Sequence, residues 1–129
     1  MAAMLNHATM PTDALAVFRD TLIETQEYGF EEVRDEQIAL GAAIRKSLES
    51  RGFRSVAAEG FQAPSVVVSF TDDDLIKNGS KFAAAGVPLE CGEGPDYKSF
   101  RIGLFGLDKL HYIDRTVRNF EDALDQVTA

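Results

Sequence analysis

Phe100-Arg101-Ile102-Gly103-Leu104-Phe105-Gly106 is the stretch from which the rest of the chain is read. It has the pattern of a β-strand. Phe100, Ile102 and Leu104 fall on one face, and Arg101, Gly103 and Phe105 on the other. The first face is uniformly apolar and belongs to a core. On the second, an arginine must keep its guanidinium hydrated or pair it with an anion, because burying an unpaired charge is costly. Gly103 has no side chain to block a close approach beside it. Arg101 therefore reads as a fork for a carboxylate, held by two parallel hydrogen bonds. It reads equally as the partner of an internal Asp or Glu, or as a side chain snorkelling from a sheet edge. These residues alone leave both readings open.

Working outward, Ser65-Val66-Val67-Val68-Ser69-Phe70 is the clearest strand, compact and rich in β-branched residues. Phe53 to Ala58 is a further expected strand, Glu59 to Pro64 a turn, Val87 to Cys91 a short strand and Gly92 to Asp96 a loop. Thr12 and Asp13 after Pro11 start a helix that Gly29 ends, with Leu15, Phe18 and Leu22 on one face and Val17 and Ile23 broadening it. A second helix is expected over Phe30–Arg51, with Val33, Leu40, Ile44 and Leu48 at helical spacing and Gly52 just past its end. Its other face is dense in charge, the composition of a solvated surface. Thr71-Asp72-Asp73-Asp74 reads as a cap, its acids favoured by the helix dipole. The helix behind it holds Leu75, Ile76 and Phe82, with Asn78-Gly79 as a break. Three successive aspartates point in different directions, which argues against a cation site. Asp108 is the expected cap of a last helix bearing Ile113, Val117, Phe120, Leu124 and Val127. The order α-α-β-β-α-β-β-α predicts an α+β fold: a small, mainly antiparallel sheet with helices packed on one face.

At 129 residues the chain is long enough for one domain, 1–129, that buries a core without staples. No apolar run reaches the roughly 20 residues of a membrane span. Met1 to His7 lacks the basic segment and long apolar run of a signal peptide, which predicts a cytoplasmic protein. A single cysteine, Cys91, makes no internal disulfide, and two distant histidines give no zinc spacing. With 13 basic against 21 acidic residues and a net charge of −8, there is no basic stripe of a nucleic-acid binder. No nucleophile elbow and no phosphate-binding glycine loop is present. His7 and His111 read by default as surface histidines. The chain looks like a domain that binds something small, without a complete catalytic set.

With its elements in this order, the chain resembles the C-terminal small domain of class V pyridoxal-phosphate aminotransferases of fold type I, in the branch of the alanine–glyoxylate and serine–pyruvate enzymes. The likeness spans nearly the whole chain. It opens at His7-Ala8-Thr9-Met10-Pro11-Thr12, similar to the Thr-x-Pro segment at the end of the family's large domain. It runs through the long helix pair and Ala63-Pro64-Ser65-Val66-Val67-Val68 to the Arg-Ile-Gly of Phe100–Gly106. The resemblance implies that Arg101 binds the α-carboxylate of an amino acid or 2-oxo acid, and that Thr9 contacts the cofactor phosphate. Asn6 stands where the family commonly has a tyrosine, and Phe82 to Pro88 is shorter than usual. The family's large domain supplies the Schiff-base lysine, and none of Lys46, Lys77, Lys81, Lys98 and Lys109 lies in a segment matching that position. The expectation is therefore a C-terminal piece of a homo-oligomeric aminotransferase acting on an amino acid and glyoxylate or pyruvate. It would bind no pyridoxal phosphate and have no catalytic residue of its own, and it would engage neither nucleic acid nor membrane. The alternative is a non-catalytic α+β module that keeps the fold for small-molecule binding or protein interaction.

Overall fold

The structure is a computed structural model that describes residues 9–89 and 98–129. The readings placed on Asn6, His7, Cys91 and Gly92–Asp96 lie outside the described residues. The chain divides into two compact units, Met1–Val33 and Arg34–Ala129.

In the first unit, α1 (Thr12–Tyr28) spans the range its sequence predicts. Asp13 lies in its first turn, where the helix dipole favours a negative charge. It stops at Gly29, whose N–H donates to the Thr25 carbonyl. No residue of α1 is buried.

The helix α2 (Phe30–Glu49) begins directly after Gly29. Its part in the second unit buries Leu40, Ile44 and Leu48 completely. It ends at Glu49, two residues short of the expected Arg51, and Gly52 closes the turn that follows. Gly52 takes φ +88°, its N–H donates to the Glu49 carbonyl, and the Phe53 N–H reaches back to the Leu48 carbonyl. This pair of backward hydrogen bonds satisfies carbonyls a helix end leaves open, and glycine adopts the required left-handed conformation without a Cβ penalty.

The second unit is α+β. Its two-stranded antiparallel sheet pairs β1 (Val66–Phe70) with β2 (Ser99–Gly103), Val67 opposite Ile102 and Val68 opposite Arg101. Alternation assigns the faces as the sequence implies. Val67, Ser69, Phe100, Ile102 and, just beyond β2, Leu104 are buried, while Arg101 and Gly103 are exposed. Two short helices, α3 (Asp74–Lys77) and α4 (Ser80–Ala84), are separated by Asn78-Gly79, the expected break. After β2 come α5 (Leu107–Leu110) and α6 (Ile113–Thr128), completing six helices among the described residues. The core joins these pieces through aromatic rings. Phe100 lies 5.3 Å from Phe53, edge to face, and 5.3 Å from Phe82, which stacks on Phe120 at 6.3 Å. Polar ties fix α2 to α6: Ser47 donates to Glu121 at 2.7 Å, and Arg51 pairs with Asp125 at 2.6 Å. The Arg45 guanidinium donates to the Ala63 carbonyl and, at 3.2 Å, to that of Val66, anchoring the entry to β1.

Three expectations need correction. Phe53–Ala58 is not a strand. It makes one antiparallel bridge, Ser55 to Ser69, flanked by hydrogen bonds from Val56 to Val68 and from Phe70 to Arg54. The pairing stops because the chain turns away at Ala58, whose carbonyl accepts from the Phe61 N–H at 3.1 Å. Val87–Leu89 forms no strand either. It leaves the turn that ends α4, and Pro88 has no N–H to offer a ladder. Asp108 does not cap the last helix: it lies in the first turn of α5, and His111-Tyr112 separates α5 from α6. The α5 end is satisfied from α6 instead, where the Thr116 hydroxyl donates to the Lys109 carbonyl at 3.1 Å.

Candidate functional site

Arg101 occupies the middle of β2, on the face opposite the core. Alternation puts it there: Phe100 and Ile102 turn inward, so the residue between them turns outward. Beside it opens a cleft of about 780 Å³. Val66, the Gly86–Leu89 segment, Arg101, Gly103, Phe105 and Lys109 line it. Among the described residues, the lining carries two cations, no acidic side chain and several apolar ones.

Each lining residue has a local reason for its position. Val66 faces Gly103 across the sheet. The Gly86–Leu89 segment is delivered by the turn after α4, where the Val87 N–H donates to the Phe82 carbonyl at 2.8 Å. Phe105 follows β2 and stays 62% exposed. The space expected over Gly103 is filled by this ring: a Cβ on Gly103 would lie 2.9 Å from Phe105 Cε2. Residues two apart share a face of extended chain, and an aromatic ring gains apolar contact by folding over a glycine. Lys109 reaches back from α5 to donate from Nζ to the Phe105 carbonyl at 2.6 Å. Its ammonium also lies 3.5 Å from the Asp108 carboxylate.

Of the other expected residues, Thr9 is exposed and belongs to the first unit, while Arg101 belongs to the second. His111 is exposed, with its ring 6.3 Å from that of Tyr112. Asp73 is a cap, accepting from the N–H groups of Leu75 and Ile76 and pairing with Lys81 at 2.6 Å. Lys77 pairs with Asp74, Lys81 with Asp73 and Lys109 with the Phe105 carbonyl, while Lys46 and Lys98 are exposed. Among the described residues no group of three or more His, Cys, Asp and Glu side chains comes together to hold a metal ion. No helix among them is long and apolar enough to cross a membrane.

A second cleft, of about 510 Å³, lies against Arg54, Phe70, Asp72 and Lys98. Its cations are offset. The Arg54 guanidinium stacks on the Phe70 ring at 4.7 Å, and Asp72 puts a negative charge in the wall. Among the described residues, the lining of the Arg101 cleft includes no acidic side chain. Sequence reasoning singled out Arg101 and Gly103 but missed Phe105 and Lys109. Phe105 had a signal, since alternation puts it on the Arg101 face. Lys109 had none, because its reach depends on how α5 turns back after Gly106. The chain matches no model of a known protein family, and no curated protein matches it.

Proposed function

We propose that this chain is the small domain of a pyridoxal-phosphate-dependent aminotransferase and that Arg101 holds the α-carboxylate of the amino acid or 2-oxo acid. The observation that carries the reading is the exposed Arg101 side chain on the outer face of its strand, at a cleft that Arg101 and Gly103 both line. A guanidinium presents five N–H donors in a planar fork that matches a carboxylate, stays charged at every working pH and orients what it binds. Held in this way, a substrate has one end fixed while its α-carbon is presented to the chemistry. When bound by the rest of the enzyme, pyridoxal phosphate supplies the electron sink for amino transfer. Thr9 is the residue of this chain assigned to its phosphate. The acceptor is a small 2-oxo acid such as glyoxylate or pyruvate, and the enzyme is a cytoplasmic homo-oligomer.

The test is Arg101→Ala in the enzyme that carries this domain. Removing one partner of a desolvated charge pair costs about 2–5 kcal/mol. The expected fall in kcat/KM is on the order of thirtyfold to several thousandfold. Arg101→Lys should restore part of it, because an ammonium lacks the two-pronged geometry. An exposed side chain contributes little to folding, so the melting temperature should hardly move. A large drop in melting temperature with unchanged kinetics would make Arg101 structural and end the proposal.

A further inference from the structure

We infer that Asn78-Gly79 is a site of covalent modification, the deamidation of Asn78 by its own backbone, and that the hydrogen bonds of the turn between α3 and α4 hold the reaction off while the chain is folded. The only co-reactant is water. The Gly79 nitrogen loses its proton and attacks Asn78 Cγ, a C–N bond forms, and the side-chain nitrogen leaves as ammonia. Water then opens the five-membered imide at either carbonyl. One opening leaves aspartate at this position. The other leaves isoaspartate, with the main chain rerouted through Cβ and Cγ. Either product adds a negative charge to the chain.

The sequence supplies the nucleophile. Gly79 has no Cβ to crowd the approach of its nitrogen. Asn119, by contrast, is followed by Phe120. The structure supplies the protection. The Gly79 N–H is committed to the Ile76 carbonyl at 3.0 Å, so the proton that must be lost is in use. Asn78 Oδ1 accepts from the Ser80 N–H at 2.9 Å and from the Ser80 hydroxyl at 2.6 Å. These bonds fix the side-chain amide over the start of α4, as asparagine does in many turns. Asn78 itself has ψ 0°, which turns the Gly79 nitrogen away from Cγ. Bringing the two atoms together means rotating ψ, and the flanks resist it, because Ile76 and Phe82 are both buried in the core. Reaction therefore requires the α3–α4 segment to open, and its rate follows the open fraction. The products differ in their effect. Aspartate keeps an oxygen where Oδ1 stands and accepts from the same Ser80 donors. Isoaspartate lengthens the main chain inside a turn that ties Asn78 to Asp74 and Gly79 to Ile76, and puts those bonds out of register.

The experiment incubates the full chain at mildly alkaline pH, in native buffer and in urea that unfolds it. Products at Asn78 and Asn119 are counted by peptide mass mapping, with isoaspartate read by its enzymatic methylation. In urea Asn78 should react about tenfold faster than Asn119 or more, since only glycine leaves the attacking nitrogen uncrowded. In native buffer Asn78 should react about tenfold slower than in urea or more, as an open fraction of one in ten or less requires. Ser80→Ala removes the hydroxyl donor from an exposed position. It should raise the native rate about twofold to tenfold, the worth of one neutral hydrogen bond, and leave the rate in urea unchanged. Asn78→Asp should melt with the wild type at neutral pH, and the purified isoaspartate form should melt lower. Equal rates at Asn78 and Asn119 in urea would end the assignment of the site. Equal rates in native buffer and urea would overturn the protection by the turn. So would a native rate that Ser80→Ala leaves unchanged, or a rise that appears in urea as well. An isoaspartate form as stable as Asn78→Asp would overturn the difference assigned to the two products.

Discussion

Gly41, in the middle of α2, is held there by a neighbour and not by its own conformation. A Cβ at this position would overlap the Pro64 carbonyl oxygen and approach the carbonyl carbon at 3.1 Å. That carbonyl also accepts from Gln37 Nε2 at 3.3 Å, and the Arg45 guanidinium holds the carbonyls on either side of it. Ala is the better helix former by about 1 kcal/mol, so on propensity alone Gly41→Ala would stabilise. The clash is with backbone pinned by three hydrogen bonds from Gln37 and Arg45 and cannot move aside freely, and overpacking of this kind costs about 1–3 kcal/mol. Gly41→Ala should therefore lower the melting temperature, by about 4–8 °C per kcal/mol lost in a domain of this size. A rise would show that the 61–65 loop yields. Asp73 gives a pH-dependent test at the same scale. The hydrogen bond from Lys81 holds its carboxyl below the usual range, helped by the Leu75 and Ile76 N–H groups and opposed by burial. A depressed folded-state pKa contributes stability that is present above the unfolded value, near 3.9, and is lost as pH falls through the folded one. The wild type should melt higher than Asp73→Asn at neutral pH, and the two curves should converge as the pH drops below about 4. A gap that persists unchanged in acid would rule out this charge as its source.

At the scale of elements, Phe100 carries the sheet into the core. It is fully buried, against Phe53 and Phe82. Truncating a buried Phe costs about 3–5 kcal/mol, a large share of the 5–15 kcal/mol typical of a whole domain. Phe100→Ala should bring the denaturant midpoint down steeply, while truncation of the exposed Phe105, just beyond β2, should barely move it. Comparable losses at both positions would mean the faces of β2 are misassigned. Those faces were legible in the sequence because alternation in Phe100–Leu104 is strict and one residue decides the phase. The ends of α1 and α2 and the Asn78-Gly79 break were legible for a similar reason: each is marked by a residue whose backbone chemistry is local. What was not legible depended on distant partners. Whether Phe53–Ala58 pairs along its length depends on where the Ala58–Phe61 turn takes it. Whether Asp108 caps a helix depends on a break at His111-Tyr112 that no glycine or proline announces. The same division holds in the site. Arg101 could be found from its strand, but the ring over Gly103 and the lysine tied to the Phe105 carbonyl required the turn at Gly106 to be known.

At the scale of the whole molecule, α1 poses the clearest question about behaviour in solution. Leu15, Val17, Phe18, Leu22 and Ile23 are between 46% and 66% exposed, and they are spread over more than one side of the helix. Helices that are apolar on several sides normally have something packed against them, and exposed apolar patches larger than roughly a few hundred Å² mark interaction surfaces. A second copy of the chain is the partner always at hand. Opposing it is the net charge of −8, which repels like copies at long range. The two effects separate by salt. Screening shortens the reach of the repulsion to about 10 Å at 0.1 M and leaves apolar contact intact, so association should strengthen as salt is added. Sedimentation velocity should show a mass that rises above 14.1 kDa through the micromolar range, more steeply at high salt. Leu15→Glu with Phe18→Glu should return the chain to monomer. Because no residue of α1 is buried, the melting temperature at low concentration should hold. A wild-type chain that stays monomeric across that range would count against self-association, and association that weakens with salt would point to charge pairing in place of the apolar surface of α1.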